Sequence, residues 1–167
     1  MNNLISVIKQ QMKINFINLE TAIKTYDRNS VLCGAFAWRY VYHTIHSADK
    51  WFINPFDYKE PEFHCVENMD NPDVPCNVIL TDCELLSYMK DTEEKILKYL
   101  DTLSDSDLYK YPKDCKYTVL ELILGQFRHM MFHTGMLNGI TISEQNKFPM
   151  FTGLEKEKYK KGVLFDE

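Results

Sequence analysis

The stretch from Thr81 to Leu103, TDCELLSYMKDTEEKILKYLDTL, has the pattern of an amphipathic helix with a defined start. Thr81 and Glu84 fit a capping box, in which the hydroxyl and carboxylate each accept a hydrogen bond from a backbone N–H of the first turn. Apolar side chains then follow at helical spacing, so that one face of the helix is apolar. These apolar residues are Leu85, Met89, Ile96, Leu100 and Leu103.

Two more helices are predicted before this stretch. Near the N-terminus, apolar side chains recur in steps of three and four, which is typical of an amphipathic helix. A second helix is predicted from Val31 to Asn54, where it ends because the residue before Pro55 is disfavoured in the helical conformation. No stretch of the chain has a convincing strand pattern. The apolar positions of the first helix are Ile5, Ile8, Met12, Phe16, Leu19 and Ile23.

A fourth helix is predicted to begin at a second capping box, formed by Thr118 and Glu121, and to continue towards Gly139. Residues 55–80 contain four prolines and no helical period, which predicts one long crossover between the second and third helices. Four helices with one such connection predict an all-α fold, a four-helix bundle.

The composition indicates a folded protein and argues against two other classes. Hydrophobic residues make up 45% of the 167 residues, and this length fits a single domain, residues 1–167. Only 6 Gly and 6 Pro argue against disorder. With 19 Lys and Arg against 24 Asp and Glu, the chain lacks the basic excess that binds nucleic-acid phosphates. Residues 142–167, with a charged run at 155–158, are predicted as a solvated C-terminal tail.

The cysteines and the N-terminus predict a cytoplasmic protein. Five cysteines with no C-x-x-C favour reduced thiols, mostly in the core, over a disulfide framework. Residues 1–4 lack the charged start and long apolar run of a signal peptide. The longest apolar stretches are interrupted by charge, as Glu121 interrupts residues 119–124, so no membrane-spanning segment is predicted.

Three of the histidines are candidate metal ligands. His129 and His133 are four residues apart, which places both imidazoles on one helix face with Cβ atoms about 6 Å apart. A third ligand has to come from another helix, and His43 lies on the core-facing stripe of helix 2 with Phe36 and Tyr40. Three neutral imidazoles leave coordination positions open, which is typical of a catalytic metal. The spacing also fits buried histidines that satisfy each other's hydrogen bonds.

Two short blocks resemble the DinB-like metal-binding four-helix-bundle superfamily. Residues 128–137, RHMMFHTGML, resemble its H-x-x-x-H-x-G signature in the last helix. Residues 42–52, YHTIHSADKWF, are similar to the block around its single second-helix histidine, which small and acidic residues and an aromatic follow. The order along the chain agrees as well: a lone histidine, a long crossover, then the paired histidines. The resemblance covers most of residues 1–140.

The resemblance implies that His43, His129 and His133 bind a divalent metal ion, zinc or nickel first of all, and that the chain pairs as a homodimer. His46 follows His43 by three residues and is the alternative ligand from helix 2. The register against Trp51 and the core-facing stripe favour His43. His46 is then expected behind the ligands or in a pocket wall.

Other residues near the predicted site have more ordinary interpretations. Asp49 could orient a ligand from behind, but an exposed ion pair with Lys50 or Arg39 is the preferred interpretation. Gly135 is predicted to let helix 4 pack closely on a neighbour. His64, in the crossover, is expected to be incidental, because no further Cys or His lies at ligand spacing from it.

The resemblance also implies a reaction. Relatives in the superfamily include transferases that use a low-molecular-weight thiol such as bacillithiol or mycothiol, which implies a metal-dependent thiol S-transferase acting on a small electrophile. No residue identifies the thiol, and no catalytic residue can be named. Two alternatives stay open: a non-catalytic metal- or ligand-binding protein of the stress response, and a metal-dependent hydrolase with Asp49 or His46 as general base.

Overall fold

The computed structural model describes residues 3–154 and 162–166, and four long helices account for most of them. Helices α3 and α4 each pack against both α1 and α2, so the four-helix, all-α architecture is confirmed. One consequence matters for function: α2 and α4, which carry the predicted metal ligands, are neighbours. The helices are α1 (Leu4–Thr25), α2 (Ala37–Trp51), α3 (Asp82–Asp101) and α4 (Val119–Gln145).

The core between these helices is built largely from big apolar side chains. Those of α1, α2 and α3 meet there with residues of the crossover and of the short 3₁₀ helix Asp105–Tyr109. Filling the interior with large side chains stabilises the bundle because the buried apolar area is large. The largest fully buried side chains include Met12, Phe16, Leu19, Tyr42, Ile45, Phe52, Met69, Leu85, Met89, Ile96, Leu100 and Leu108.

Both predicted capping boxes are present and begin the helices as expected. The backbone N–H of Thr81 donates to the Glu84 carboxylate at 2.7 Å, and the N–H of Glu84 donates to the Thr81 hydroxyl at 3.3 Å. Thr118 and Glu121 make the same pair of bonds at the start of α4. These bonds satisfy backbone donors that the first helical turn leaves free.

The prediction that helix 2 begins at Val31 is wrong. Two short antiparallel strands, β1 (Val31–Leu32) and β2 (Ala35–Phe36), precede α2. The turn between them consists of Cys33 and Gly34, whose φ angles are 47° and 87°. Two consecutive positive φ angles are what a tight two-residue hairpin requires, and they interrupt a helix. Helix α2 therefore begins at Ala37.

Helix α4 extends further than predicted. It continues past Gly139 to Gln145 and ends where Asn146 adopts a left-handed conformation with φ of 51°. An asparagine in this conformation is a common helix terminator, because its side chain tolerates positive φ. The predicted close packing at Gly135 is also wrong: a Cβ atom built there meets no heavy atom within 4 Å among the described residues.

The described part of the predicted tail packs on the bundle. The backbone N–H of Thr152 donates to the side-chain oxygen of Asn18 on α1 at 2.8 Å, and the Asn18 amide donates back to the Thr152 carbonyl at 3.1 Å. Pro149 and Phe165 form an isolated antiparallel bridge. The prediction of a solvated segment is therefore wrong for these residues, and the charged run at 155–158 lies outside the described residues.

The crossover is an ordered connection without regular structure. Residues 52–81, all of which are described, contain no helix or strand.

All five cysteines are free, and only Cys115 is buried, so the expectation that most thiols lie in the core is wrong. Within the described ranges, no helix has the length and apolar character needed to cross a membrane.

Candidate metal centre

Helices α2 and α4 bring the imidazoles of His43, His129 and His133 together. His129 and His133 lie on successive turns of α4, and His43 faces them from α2. The Nε2 atom of His129 lies 3.0 Å from Nε2 of His43 and 3.0 Å from Nε2 of His133. All three rings offer a ligand atom within 4.8 Å of the other two. The structure thus places His43 in this cluster, and His46 lies in another.

The number of ring protons favours a cation over a purely hydrogen-bonded cluster. A neutral imidazole carries one N–H, and that of His43 is on Nδ1, which donates to the Asp70 carbonyl at 2.8 Å. Nε2 of His43 therefore presents a lone pair. Whichever nitrogen of His129 carries its proton, at most one of the two contacts of 3.0 Å is a linear hydrogen bond. A metal ion binds all three lone pairs at once.

The spacing of the nitrogens also fits a metal ion. Zinc–nitrogen bonds of about 2.0–2.1 Å in tetrahedral geometry place two ligand nitrogens about 3.3 Å apart. The two Nε2–Nε2 distances of 3.0 Å are close to this separation, and small side-chain movements are enough to reach it. Three neutral nitrogen ligands suit zinc and nickel, and they leave coordination positions open.

The surroundings of the triad keep His129 and His133 neutral. Burial lowers the pKa of His129 to about 4, with a further contribution from His43. Burial and the two neighbouring rings lower the pKa of His133 to about 3. His133 is also only 7% exposed. Neutral imidazoles at physiological pH are the form that binds a metal, since protonated rings have no free lone pair.

The crossover orients one ligand of the triad. The bond from His43 Nδ1 to the Asp70 carbonyl fixes both the tautomer and the ring plane of His43. The Arg39 guanidinium, which is nearly fully buried, holds the backbone around Asp70. It donates to the carbonyl oxygens of Met69 (3.3 Å), Asn71 (2.7 Å) and Val74 (3.0 Å). No signal in the sequence pointed to these backbone contacts.

An open groove of about 680 Å³ lies beside His129. Its walls come from α2, from the first half of α4 and from Tyr117 just before α4, and they combine apolar and polar side chains. Ser47 of α2 donates to Gln126 of α4 at 3.1 Å and ties the two walls together. A groove of this size accommodates a small organic molecule next to a metal ligand. Residues that line it include Trp51, Tyr117, Leu124, Gly125, Arg128 and His129.

A second cluster lies on the crossover side of α2. His46, which is 1% exposed, places Nε2 at 2.5 Å from the Glu60 carboxylate, and His64 Nδ1 lies 3.6 Å from the same oxygen. The expectation that His64 is incidental is therefore wrong. Sequence spacing could not reveal this contact, because residues 60–64 reach His46 only through the irregular path of the crossover.

The Asp49 side chain belongs to a network of its own. Its carboxylate is largely buried, and the expected ion pairs with Lys50 or Arg39 are not formed. Lys50 pairs with Glu60 instead. Asp49 and His46 are the two candidates for a general base. Neither of them forms a hydrogen bond with a histidine of the triad. The groups that donate to Asp49 are Tyr58 (2.9 Å), Tyr88 (2.9 Å) and Lys95 (2.5 Å).

Comparisons of the chain with models of known protein families, with curated proteins and with solved structures found no match.

Proposed function

We propose that this chain is a DinB-like helical bundle that binds a divalent metal ion through His43, His129 and His133. The observation that carries the proposal is the convergence of three imidazole Nε2 atoms, two of their contacts being 3.0 Å long. The neutral state of the buried rings and the hydrogen bond that orients His43 support it.

We further propose that the protein is a metal-dependent S-transferase for a low-molecular-weight thiol. A divalent ion held by three imidazoles would lower the pKa of a thiol bound to it, so that the thiol is a thiolate at neutral pH. The chain contributes the groove beside His129, in which Trp51 and Leu124 offer apolar contacts to an electrophile. Arg128, at the same groove, offers a positive charge to a carboxylate of the thiol.

The two alternatives receive different support. A hydrolase needs a general base near the site, and the two candidates, Asp49 and His46, are engaged with other side chains. A non-catalytic metal-binding protein uses the same triad and needs nothing more from the groove. Turnover is what separates this alternative from the transferase.

Metal analysis of tag-free protein, never exposed to a nickel column, tests the metal site. We expect His43→Ala and His129→Ala each to bind about one ion per chain less than the wild type. Ser143→Ala, at an exposed position further along the same helix, is the matched control and keeps the wild-type content. Equal metal content in all four proteins would exclude the triad as a metal site.

A thiol assay then tests catalysis. The metal-loaded protein is mixed with bacillithiol, mycothiol or cysteine and with monochlorobimane, and the thiol-dependent loss of the electrophile is followed. We expect His133→Ala to lose this activity together with its metal. A wild type that binds metal but consumes no electrophile with any of these thiols would favour the non-catalytic alternative.

A further inference from the structure

The second cluster on α2 brings three ligand atoms of different residues together. A ring nitrogen of His46, a carboxylate oxygen of Glu60 and a ring nitrogen of His64 lie within 4.8 Å of one another. The rings of His46 and His64 stack with centroids 4.7 Å apart, and one nitrogen of each ring lies within 4 Å of the same Glu60 oxygen. Lys50 holds the other Glu60 oxygen at 3.1 Å, which leaves one oxygen facing the histidines.

The protonation of these groups is compatible with metal binding. The Tyr42 hydroxyl lies 2.6 Å from His64 Nδ1. An ion bound to Nδ1 uses its single lone pair, so binding requires the Tyr42 hydroxyl to turn away from this nitrogen. His46 Nε2 donates to Glu60 at 2.5 Å. The other ring nitrogen of His46 lies 3.6 Å from the Asp70 carboxylate. A shift of the His46 proton to that nitrogen frees Nε2 and gives the carboxylate–histidine arrangement that commonly supports a metal ligand.

A hydrogen bond between His46 and Glu60 needs only one histidine, but here a second imidazole, that of His64, lies beside the same carboxylate. His64 Nδ1 lies 3.6 Å from the same carboxylate oxygen, beyond hydrogen-bond distance but close to the separation of two ligands on one ion. Two imidazoles and one carboxylate are a ligand set that zinc uses in open sites. The Glu60 side chain is 40% exposed, which gives an ion a path from solvent.

We propose that His46, Glu60 and His64 form a second divalent-metal site, separate from the triad of His43, His129 and His133, and suited to zinc. Binding requires Glu60 to move back by under one ångström, since two zinc ligands lie about 3.2 Å apart. Because Glu60 and His64 belong to the crossover and His46 to α2, a bound ion anchors the crossover to the helix that carries His43.

Zinc stoichiometry of the full chain tests this site. Tag-free protein is stripped with a chelator, dialysed against zinc and analysed by mass spectrometry. We expect about two ions per chain in the wild type, about one in His64→Ala and in His129→Ala, and none in the double variant. Glu60→Gln, which keeps the side-chain size, is expected to weaken the second ion at least tenfold in a chelator competition.

Two neighbouring residues of the crossover supply controls. Glu62→Gln removes an exposed carboxylate that does not face the histidines, and it is expected to keep both ions. Cys65→Ser removes the exposed thiol next to His64, and it is expected to keep both as well. Thermal unfolding of the zinc-free variants verifies that each is folded.

The outcomes separate this site from the triad. One ion in the wild type that disappears in His129→Ala would overturn the second site and leave the triad standing. One ion that disappears in His64→Ala would support the second site and overturn the triad. Two ions that persist in both His64→Ala and Glu60→Gln, or a second ion lost with Cys65→Ser, would assign that ion to other ligands and overturn the proposal.

Discussion

Nδ1 of His43 donates to the backbone carbonyl of Asp70 at 2.8 Å, so a residue of the crossover sets the orientation of a ring on helix α2. The bond also assigns the proton of His43 to Nδ1, which leaves Nε2 free to face His129 and His133. The long connection between α2 and α3 is therefore part of the candidate metal centre, although it contributes none of the three nitrogens.

This relationship predicts that Arg39→Lys weakens metal binding without touching a ligand. Arg39 holds three carbonyls around Asp70, and lysine cannot reproduce the geometry of its planar donors. We expect zinc affinity of the triad to fall by about tenfold, the usual effect of removing support behind a ligand. Competition with a fluorescent chelator, in a His64→Ala background, measures it.

Arg28→Lys is the matched control for this change. Arg28 binds the Leu80 carbonyl at the far end of the crossover and pairs with Asp82 at 3.1 Å, away from the triad. It is expected to keep the zinc affinity of the parent protein. Equal zinc affinities in Arg39→Lys and Arg28→Lys would show that the contacts of Arg39 with the crossover do not support metal binding.

The buried histidines predict that the metal-free protein loses stability in mild acid. The pKa values of His129 and His133 in the folded protein are about 4 and about 3, below the ordinary value of 6.5. Between these values the unfolded chain binds more protons than the folded one, so the free energy of unfolding decreases as the pH falls. Stability is unaffected by these groups above about pH 6.5 and is lost progressively as the pH falls towards about 3, the lower of the two pKa values.

Urea unfolding of the metal-free protein at pH 7 and pH 5 measures this effect. We expect a lower midpoint at pH 5 in the wild type and a smaller difference in His133→Gln, which has one fewer group to titrate. Ser143→Gln, at an exposed position near the end of α4, is expected to keep the wild-type difference. A midpoint that rises on going to pH 5 would contradict the burial of neutral rings.

The sequence predicted the features that depend on residues close together in the chain. The capping boxes at Thr81 and Thr118 involve residues three apart, so four residues suffice to recognise them. The paired histidines of α4 are likewise a local pattern. The hairpin before α2 was missed because its signal is only the pair Cys33–Gly34, which lacks the usual Asn-Gly or Asp-Gly turn.

The contacts of the site that the sequence did not predict depend on the position of the crossover, which has no regular structure. Glu60 and His64 reach His46, and Asp70 reaches His43, through the path of residues 52–81. Helical periodicity does not describe such a path, so no spacing rule connects these residues. The same reason explains why Asp49 was assigned the wrong partners, since one of its true ones, Tyr58, comes from the crossover.

Asp49 is predicted to stabilise the fold and to have no part in metal binding. In Asp49→Ala the hydroxyls of Tyr58 and Tyr88 lose their acceptor in a partly buried place, which is expected to cost about 1–3 kcal/mol of unfolding free energy. Asp101→Ala is the control, because it removes an exposed ion pair with Lys9 worth less than about 1 kcal/mol. Urea unfolding and metal analysis check both parts, and loss of the metal in folded Asp49→Ala would contradict the prediction.

The groove beside His129 predicts a variant that separates substrate binding from metal binding. Gly125 lines the groove in the middle of α4, and a Cβ atom built there meets no heavy atom within 4 Å among the described residues. Gly125→Leu therefore adds a side chain at the groove wall, and its Cβ atom meets no neighbouring atom in the described part of the chain. It also replaces a poor helix former by a good one, which favours the helix by about 0.8 kcal/mol.

We expect Gly125→Leu to keep the metal and to be at least as stable as the wild type. Its rate of thiol-dependent electrophile consumption is expected to fall at least about tenfold, because the new side chain occupies the volume that the substrate needs. Gly139→Leu makes the same exchange on the same helix, also in open space but outside the groove, and is expected to keep the activity. Full activity in Gly125→Leu would exclude the groove as the substrate site. Loss of activity in both variants would point to a surface of α4 outside the groove, and equal loss of metal in both would mean that the exchange itself disturbs the spacing of His129 and His133.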